Sequence, residues 1–459
     1  MPVPTIVPRA DHAISRRDID SEALKVLYRL HEHKYTAYLV SGSVRDLLLG
    51  RRPKDFDVGT SAHPFQIKKL FRNCWIIGRR FRLAHVKFGP KTIEVATFRK
   101  VVPATDPASP EPEPAEPVVV ASSPETAADA AAGLIHRDNT FGTPEEDAFR
   151  RDFTINGLFY DISTFSVIDY VGGLQDLDAR VVRSIGDPRV RFVEDPVRML
   201  RAVVMASRLD FELDPLVIDA IAEHRQLITT ASPARLLEEY YKILRSGCAE
   251  ATFRGLRETR LLELITPELK SPTVALWESL ADLDLYRTQF ASAPQELTNA
   301  LLIGSLLVPM GLLGRAPAPR DPHPDKISFG MLTVARKDIE RLRHLVQMLP
   351  KLADPMLPPR IARGITHRPA FADTLLWMEI HGDSPDMVER WKETAAEDAA
   401  QRHAAPHGSH HAASPDGDHA RSAHSAGPDG GDDAGPRPRR RRRRRRRRGR
   451  GGTGPAETS

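Results

Sequence analysis

Residues 37–60 read AYLVSGSVRDLLLGRRPKDFDVGT. A short apolar run, Ala37 to Val40, breaks at Ser41-Gly42-Ser43, resumes as a helical turn through Leu47, Leu48 and Leu49, and ends at Asp55-Phe56-Asp57. In an extended strand alternate side chains share a face, so Asp55 and Asp57 are expected to point one way and Phe56 into the core. Two adjacent carboxylates repel, which either raises one pKa or calls for a cation between them. A hard divalent metal with oxygen ligands meets that need. Asp-x-Asp also occurs in ordinary loops. The turn upstream sharpens the reading, because Gly42 and Ser43 are small enough to let the backbone approach a phosphate and Arg45 follows as a fixed cation. A phosphate cradle beside a carboxylate pair points to metal-dependent nucleotide chemistry.

The chain has 459 residues, enough for two or three domains. Its formal charge is +5, but Arg437, Arg439 to Arg448 and Arg450 supply 12 positive charges, so the remainder carries −7. The basic character therefore belongs to the tail. Cys74 and Cys248 are the only cysteines and lie far apart, which supports neither a disulfide framework nor a zinc site. The N-terminus lacks the apolar core of a signal peptide, and the longest apolar stretch, residues 300–313, is too short to span a bilayer. These features read as a soluble, cytoplasmic protein with no membrane partner.

Residues 1–15 read as a disordered leader. Ile19, Ala23, Val26, Leu27 and Leu30 then recur at helical spacing, with Ser21 available as a cap. A helix is expected from His63-Pro64, followed by alternating runs at 82–88 and 92–98 around Gly89-Pro90, a hairpin. Glu94 is polar amid Ile93, Val95 and Ala96, and is either a solvent-facing strand residue or a third carboxylate at the site. Residues 101–133, rich in Pro, Ala, Glu and Ser, read as a flexible insertion.

Order is expected to return at 137–162, where Arg150, Arg151 and Asp152 stand together. Residues 166–170 and 181–185 read as a second, hairpin-like region. A long helix is expected from Glu194-Asp195-Pro196-Val197-Arg198, with Asp195 and Arg198 on one helical face as an acceptor and donor able to read a base edge. The rest, to about 395, carries helical spacing throughout, including 333–349 and 371–380. Beyond 396 the composition turns to His, Ala, Gly, Asp and Pro and ends in the arginine run, which will bind a polyanion without sequence choice.

In collinear order, VSGSVRDLLLG, KDFDVGTSA, LFRNCWIIGRRFRLAHVKFG, IEVATFR, EEDAFRRDFTINGL and IGDPRVRFVEDPVRMLRAV resemble the class II nucleotidyltransferases of the DNA polymerase beta superfamily. These are the bacterial poly(A) polymerases and the CCA-adding enzymes of transfer RNA. The resemblance covers roughly residues 20–250. It implies an α+β architecture: a small mixed-sheet nucleotidyltransferase head (16–165), an RNA- and nucleotide-binding neck (166–260), an all-α body (261–395) and a disordered Arg-rich tail (396–459).

By the same resemblance, Asp55, Asp57 and Asp152 are the catalytic residues. Asp55 and Asp57 hold two Mg2+ ions, with Glu94 as a supporting metal ligand. Gly42, Ser43 and Arg45 hold the triphosphate of ATP, Arg151 and Asn156 contact the nucleotide, and Asp195 and Arg198 select its base. Arg439, Arg440, Arg441 and Arg442 belong to the RNA-binding tail. RNA 3′ ends and ATP are the implied partners, with RNA-decay proteins as further candidates, in mRNA processing. Residues 78–86 and the basic tail are similar to the poly(A) branch, so the expected activity is template-independent addition of AMP to RNA. The rivals are a CCA-adding enzyme and a non-catalytic RNA-binding protein. Three positions depart from the family pattern: Ser41 stands where Gly is usual, 101–133 replaces a short loop, and Val204-Met205 replaces Arg-Phe.

Overall fold

Strand β2 (Ala37–Val40) is central in the head, and the sheet grows from it in both directions. The computed structural model describes residues 3–78, 82–100, 140–314, 326–382 and 384–404, so the 101–133 insertion, part of the 78–86 signature and the arginine tail lie outside the described residues. The head contains β1 (Thr5–Val7), α1 (Ser21–Glu32), β2, α2 (Gly42–Leu48), β3 (Asp57–Thr60) and α3 (Pro64–Leu70). It continues through β4 (Cys74–Ile77), β5 (Leu83–Phe88), β6 (Lys91–Thr97), α4 (Pro144–Phe149), β7 (Leu158–Asp161) and β8 (Ser166–Asp169). The strands form one eight-stranded mixed sheet in the order β1-β8-β7-β2-β3-β6-β5-β4, in which β3 and β6 are parallel and the other pairs antiparallel.

The two sheet faces differ. Leu39, Val58, Val86 and Val95 pack with Ala23, Val26, Leu27 and Leu30 of α1 in the main core. Cross-strand register puts Trp75, His85 and Glu94 side by side on the other face. Val58 pairs with Val95, so Asp57 falls level with Glu94, and the row continues through Val40, Phe159, Ile168 and Ile6. One transverse row is therefore polar toward β4 and apolar toward β1. Phe98 and Ala148 of α4 join Val40, Phe159 and Ile168 in a separate small core.

Several expectations change. The leader is ordered over residues 3–15: β1 adds to the edge of β8, Ile14 is buried, and His12 Nε2 lies 2.9 Å from the Phe165 carbonyl. The free backbone groups of β8 supply the reason, because they need partners that a proline-rich segment can still provide. Asp20, not Ser21, caps α1, its side chain accepting from the amides of Glu22 and Ala23. Residues 166–169 pair with β7 inside the head sheet and form no hairpin with 181–185.

The helical part begins with α5 (Gly173–Ala179), then β9 (Val181–Val182), α6 (Pro188–Glu194), α7 (Val197–Leu209) and β10 (Glu212–Leu213), where β9 and β10 pair in parallel. Next come α8 (Pro215–His224), α9 (Pro233–Leu244), α10 (Ala249–Glu258), α11 (Leu261–Ile265), α12 (Val274–Thr288) and α13 (Asn299–Leu307). The body is not purely helical. A hairpin of β11 (Lys326–Phe329) and β12 (Leu332–Ala335) precedes α14 (Arg336–Leu352), so residues 333–335, read as helix, are strand. Buried Leu332 and Val334 alternate with half-buried neighbours and bury one strand face in the main core.

After α15 (Pro359–Thr366) and α16 (Phe371–His381), α17 (Pro385–Ala404) runs past the expected tail boundary at 396. It is held by Trp391 Nε1 donating to the Leu352 carbonyl at 2.8 Å and by Thr366 Oγ1 donating to Asp398 Oδ2 at 3.0 Å. Among the described residues no helix is long and apolar enough to cross a membrane, and both cysteines are free.

Gly59 lies two residues from Asp57 on the same face of β3, where a Cβ would meet Phe98 Cε1 at 2.6 Å and Val40 Cγ1 at 2.9 Å. The Phe98 and Val40 side chains there leave no room for a methyl group. Gly59→Ala is expected to destabilise the protein by about 1–3 kcal/mol through overpacking, measured by chemical denaturation.

Candidate active site

The site forms where β3 enters the sheet. Phe56 is buried and anchors the segment, Asp57 opens the strand half-buried, and Asp55 precedes it in exposed, non-strand backbone. Burial, then Glu94 and Asp55, push the Asp57 carboxyl up to about 6, against a smaller opposing pull from Arg151. A carboxylate this disfavoured as an ion, in an all-oxygen setting, suits a hard divalent cation. Glu94 itself sits across from His85, with Nε2 to Oε1 at 3.5 Å. It acts on Asp57 through charge, and among the described residues no three His, Cys, Asp or Glu side chains are gathered as a ready-made metal cluster. Asp55 and Asp57, two residues apart at the start of β3, are carboxylates that could hold such a cation.

Arg45 differs from expectation. It is buried, with Nε and Nη2 donating to Asp46 Oδ1 at 2.8 and 2.6 Å and Nη1 donating to Asn156 Oδ1 at 2.5 Å. Nη1 also lies 3.4 Å from the sulfur of Met205, one of the two residues that depart from the Arg-Phe pattern. Burial pulls the Arg45 pKa down, though Asp46 supports the charge. A guanidinium with these partners ties α2 to the turn at Thr154–Asn156 and to α7, and is not presented to a phosphate. Ser43 is likewise buried, its Oγ donating to the Val40 carbonyl at 2.9 Å. Of the expected cradle, the backbone at Gly42 remains as the part that can approach a ligand.

A second group joins the head to α6 and α7. Asp147 is buried; burial would raise its pKa, but Arg151 and Arg150 hold it below the usual carboxylate range. Arg151 Nη2 donates to Asp147 Oδ2 at 2.7 Å, and its guanidinium lies 5.2 Å from the centre of the Phe159 ring. That contact fixes the cation that acts on Asp57. Asp152 Oδ1 accepts from Arg198 Nε at 2.9 Å, while Oδ2 makes an ion pair with Arg201 Nη1 at 2.6 Å outside hydrogen-bonding geometry. Burial opposes the charge on Arg198, yet Asp152 and Glu194 outweigh it and its pKa is raised. Arg191 completes the set, donating to the carbonyls of Arg150 and Arg151 at 2.8 Å each and to Glu194 at 2.9 Å.

Asp195 and Arg198 do not share a helical face. Asp195 has φ −148° and ψ 97°, extended backbone between α6 and α7, and pairs with Arg235 of α9 at 2.8 Å. Pro196 forces this, because the residue before a proline is pushed from helical to extended backbone. Arg198 turns back to Asp152. Sequence reading missed Asp147, Arg191, Glu194 and Arg201; the i, i+4 spacing of Asp147 with Arg151 and of Glu194 with Arg198 was the available signal. Arg439 to Arg442 lie outside the described residues.

Residues 37–183 match the family model described as poly A polymerase head domain, and residues 210–271 match one described as the probable RNA and SrmB-binding site of polymerase A. The chain is similar to poly(A) polymerase I of Salmonella typhimurium, at 51% identity over 265 residues, 58% of this chain and 54% of that protein. It is also similar to the CCA-adding enzyme of Bacillus pumilus, at 33% identity over 243 residues, 53% of this chain and 54% of that one. In fold it is similar to the crystal structure of the Bacillus stearothermophilus CCA-adding enzyme in complex with CTP, with TM-score 0.56 and 25% identity over 83% of this chain and 82% of that one. The chain spans about half the length of the curated relatives it matches.

Two outcomes are expected from this geometry. The Asp57 pKa is raised from 3.8 to about 6, so the folded state holds the extra proton between those values. Its stabilising contribution is present below about pH 4 and is lost as pH climbs through 6. Without divalent cation, Asp57→Asn is therefore expected to gain stability over the parent at pH 8 and not at pH 4, read by thermal unfolding at both values. Ser41 has φ +64° and ψ −130°, a conformation that favours glycine, and Ser41→Gly is expected to stabilise by roughly 1 kcal/mol, measured by denaturant titration.

Proposed function

We propose that this chain, whose residues 37–183 and 210–271 match two poly(A) polymerase family models, is a template-independent polynucleotide adenylyltransferase. The observation that carries the reading is the disfavoured Asp57 carboxyl beside Asp55, in a chain 51% identical over 265 residues to a poly(A) polymerase I. The RNA 3′-hydroxyl gives its proton to solvent and its oxygen forms a bond to the α-phosphorus of ATP, the bond from that phosphorus to the bridging oxygen breaks, and pyrophosphate leaves.

Asp55 and Asp57 would hold two magnesium ions. When bound, such ions supply Lewis-acid polarisation of the phosphoryl group and lower the pKa of the attacking hydroxyl. The chain's own residues do the rest. The Gly42 backbone admits the triphosphate to the turn, with Arg45 and Ser43 holding that turn from beneath. Arg151, fixed by Asp147, places a cation next to the carboxylates. Asp152 keeps Arg198 oriented, and Arg198 with Asp195 and Asn156 lines the nucleotide side. We place the activity in cytoplasmic RNA 3′-end processing, with residues 210–271 on RNA and RNA-decay proteins as partners of the helical body.

A second reading, CCA addition to transfer RNA, is favoured by the 33% identity to a CCA-adding enzyme. Primer extension with each nucleoside triphosphate separately divides the two. Long A tracts on an unstructured oligonucleotide support adenylation; C, C, A and then a halt on truncated transfer RNA supports the second reading. Asp55→Ala is expected to lower the incorporation rate on the order of a thousandfold or more, since metal stabilisation of the transition state is worth several kcal/mol, without lowering the melting temperature. An Asp55→Ala protein that extends primers like the parent overturns the assignment.

A further inference from the structure

Trp75 has no role in the machinery described so far. It stands on β4, the edge strand of the head sheet, and is 51% exposed. The neighbouring Lys87 ammonium lies 5.1 Å from the centre of its ring. Its position in the sheet gives it meaning. Trp75 faces His85 across the β4-β5 pair, His85 faces Glu94 across β5-β6, and Glu94 is level with Asp57. All four therefore share one face, and three strand spacings of about 4.8 Å put the indole roughly 14 Å from Asp57. Ile77, 49% exposed, lies on the same side of β4.

We propose that Trp75 with Lys87 is a stacking platform for the single-stranded RNA primer upstream of its 3′ end. An exposed aromatic ring offers a flat apolar face to any base, and an ammonium beside it attracts the phosphodiester between bases, which is the pairing of surfaces that binds single strands without sequence choice. Glu94 lies between the ring and Asp57 and repels that backbone, so the attraction of the platform comes from Lys87 and the ring. The row leads from the sheet edge to the carboxylates, so a strand laid along it would deliver its terminal hydroxyl to Asp55 and Asp57. This inference rests on the adenylyltransferase reading. The alternative occupant is a second copy of the chain, since among the described residues no strand pairs with the outer edge of β4.

The test measures the dissociation constant of a fluorescein-labelled 12-mer oligoadenylate without ATP, for the parent, Trp75→Ala and Trp75→Phe, with melting curves to check the fold. Trp75→Ala is expected to weaken binding roughly tenfold and raise KM for RNA by the same factor with KM for ATP unmoved, while Trp75→Phe stays within about threefold of the parent. RNA should also quench tryptophan fluorescence in the parent more than in Trp75→Phe. Equal binding by Trp75→Ala and the parent overturns the platform, as does Phe being as impaired as Ala. A parent that sediments as a dimer, with Trp75→Ala monomeric and binding RNA equally well, assigns the patch to a second copy and overturns it too. A parent that incorporates no AMP defeats the adenylyltransferase reading separately, and the binding comparison still decides the platform.

Discussion

A half-buried carboxyl flanked by like charge is the constraint around which the head is arranged. Asp57 sits at the mouth of β3, where burial, Glu94 and Asp55 all work against its ionised form. Placing an acid there costs stability, and the surrounding cations limit that cost without removing it. Arg151 is near enough to oppose the shift, and it is itself held by Asp147. Had Arg151 been closer, the site would be an internal salt bridge with little need for a metal. Kept outside, it leaves a residual negative potential that a bound cation can use.

The same logic explains the arginines behind the site. Arg198, Arg191 and Arg201 meet Asp152 and Glu194 in a network of ion pairs. In a partly dry environment each unpaired charge would be expensive, so the network sets orientation first and affinity second. Arg45 is the extreme case. With Asp46, Asn156 and Met205 as partners it ties three segments from across the sequence together.

Legibility in the sequence followed the range of the forces involved. The apolar spacing of α1, α9, α10 and α12 was readable because each helix buries one stripe, a local property. Residues 3–15 and the part of α17 beyond 395 were not readable as ordered. Their stability comes from partners far along the chain, Phe165 for His12 and Leu352 for Trp391. The β11-β12 hairpin was hidden by neighbouring residues whose spacing suits a helix equally well. At the site, motif order supplied the expectation for Asp55, Asp57 and Asp152, while the partner of each arginine was not legible, since a guanidinium chooses among carboxylates that only folding brings near.

By itself the sequence determined the chemistry available: a carboxylate pair after a small-residue turn, an RRDFTIN segment and a helix opened by EDPVR, in an order that resembles one nucleotidyltransferase family. Residue type and spacing are enough for that, because they set which groups can be charged and which share a face. Tertiary structure decided the assignments. It turned Arg45 inward, separated Asp195 from Arg198 at Pro196, brought Glu94 beside Asp57 across a parallel strand pair and aligned Trp75 with both. Sheet register and burial set these relations, and both depend on contacts between residues distant in the chain, which no local pattern encodes.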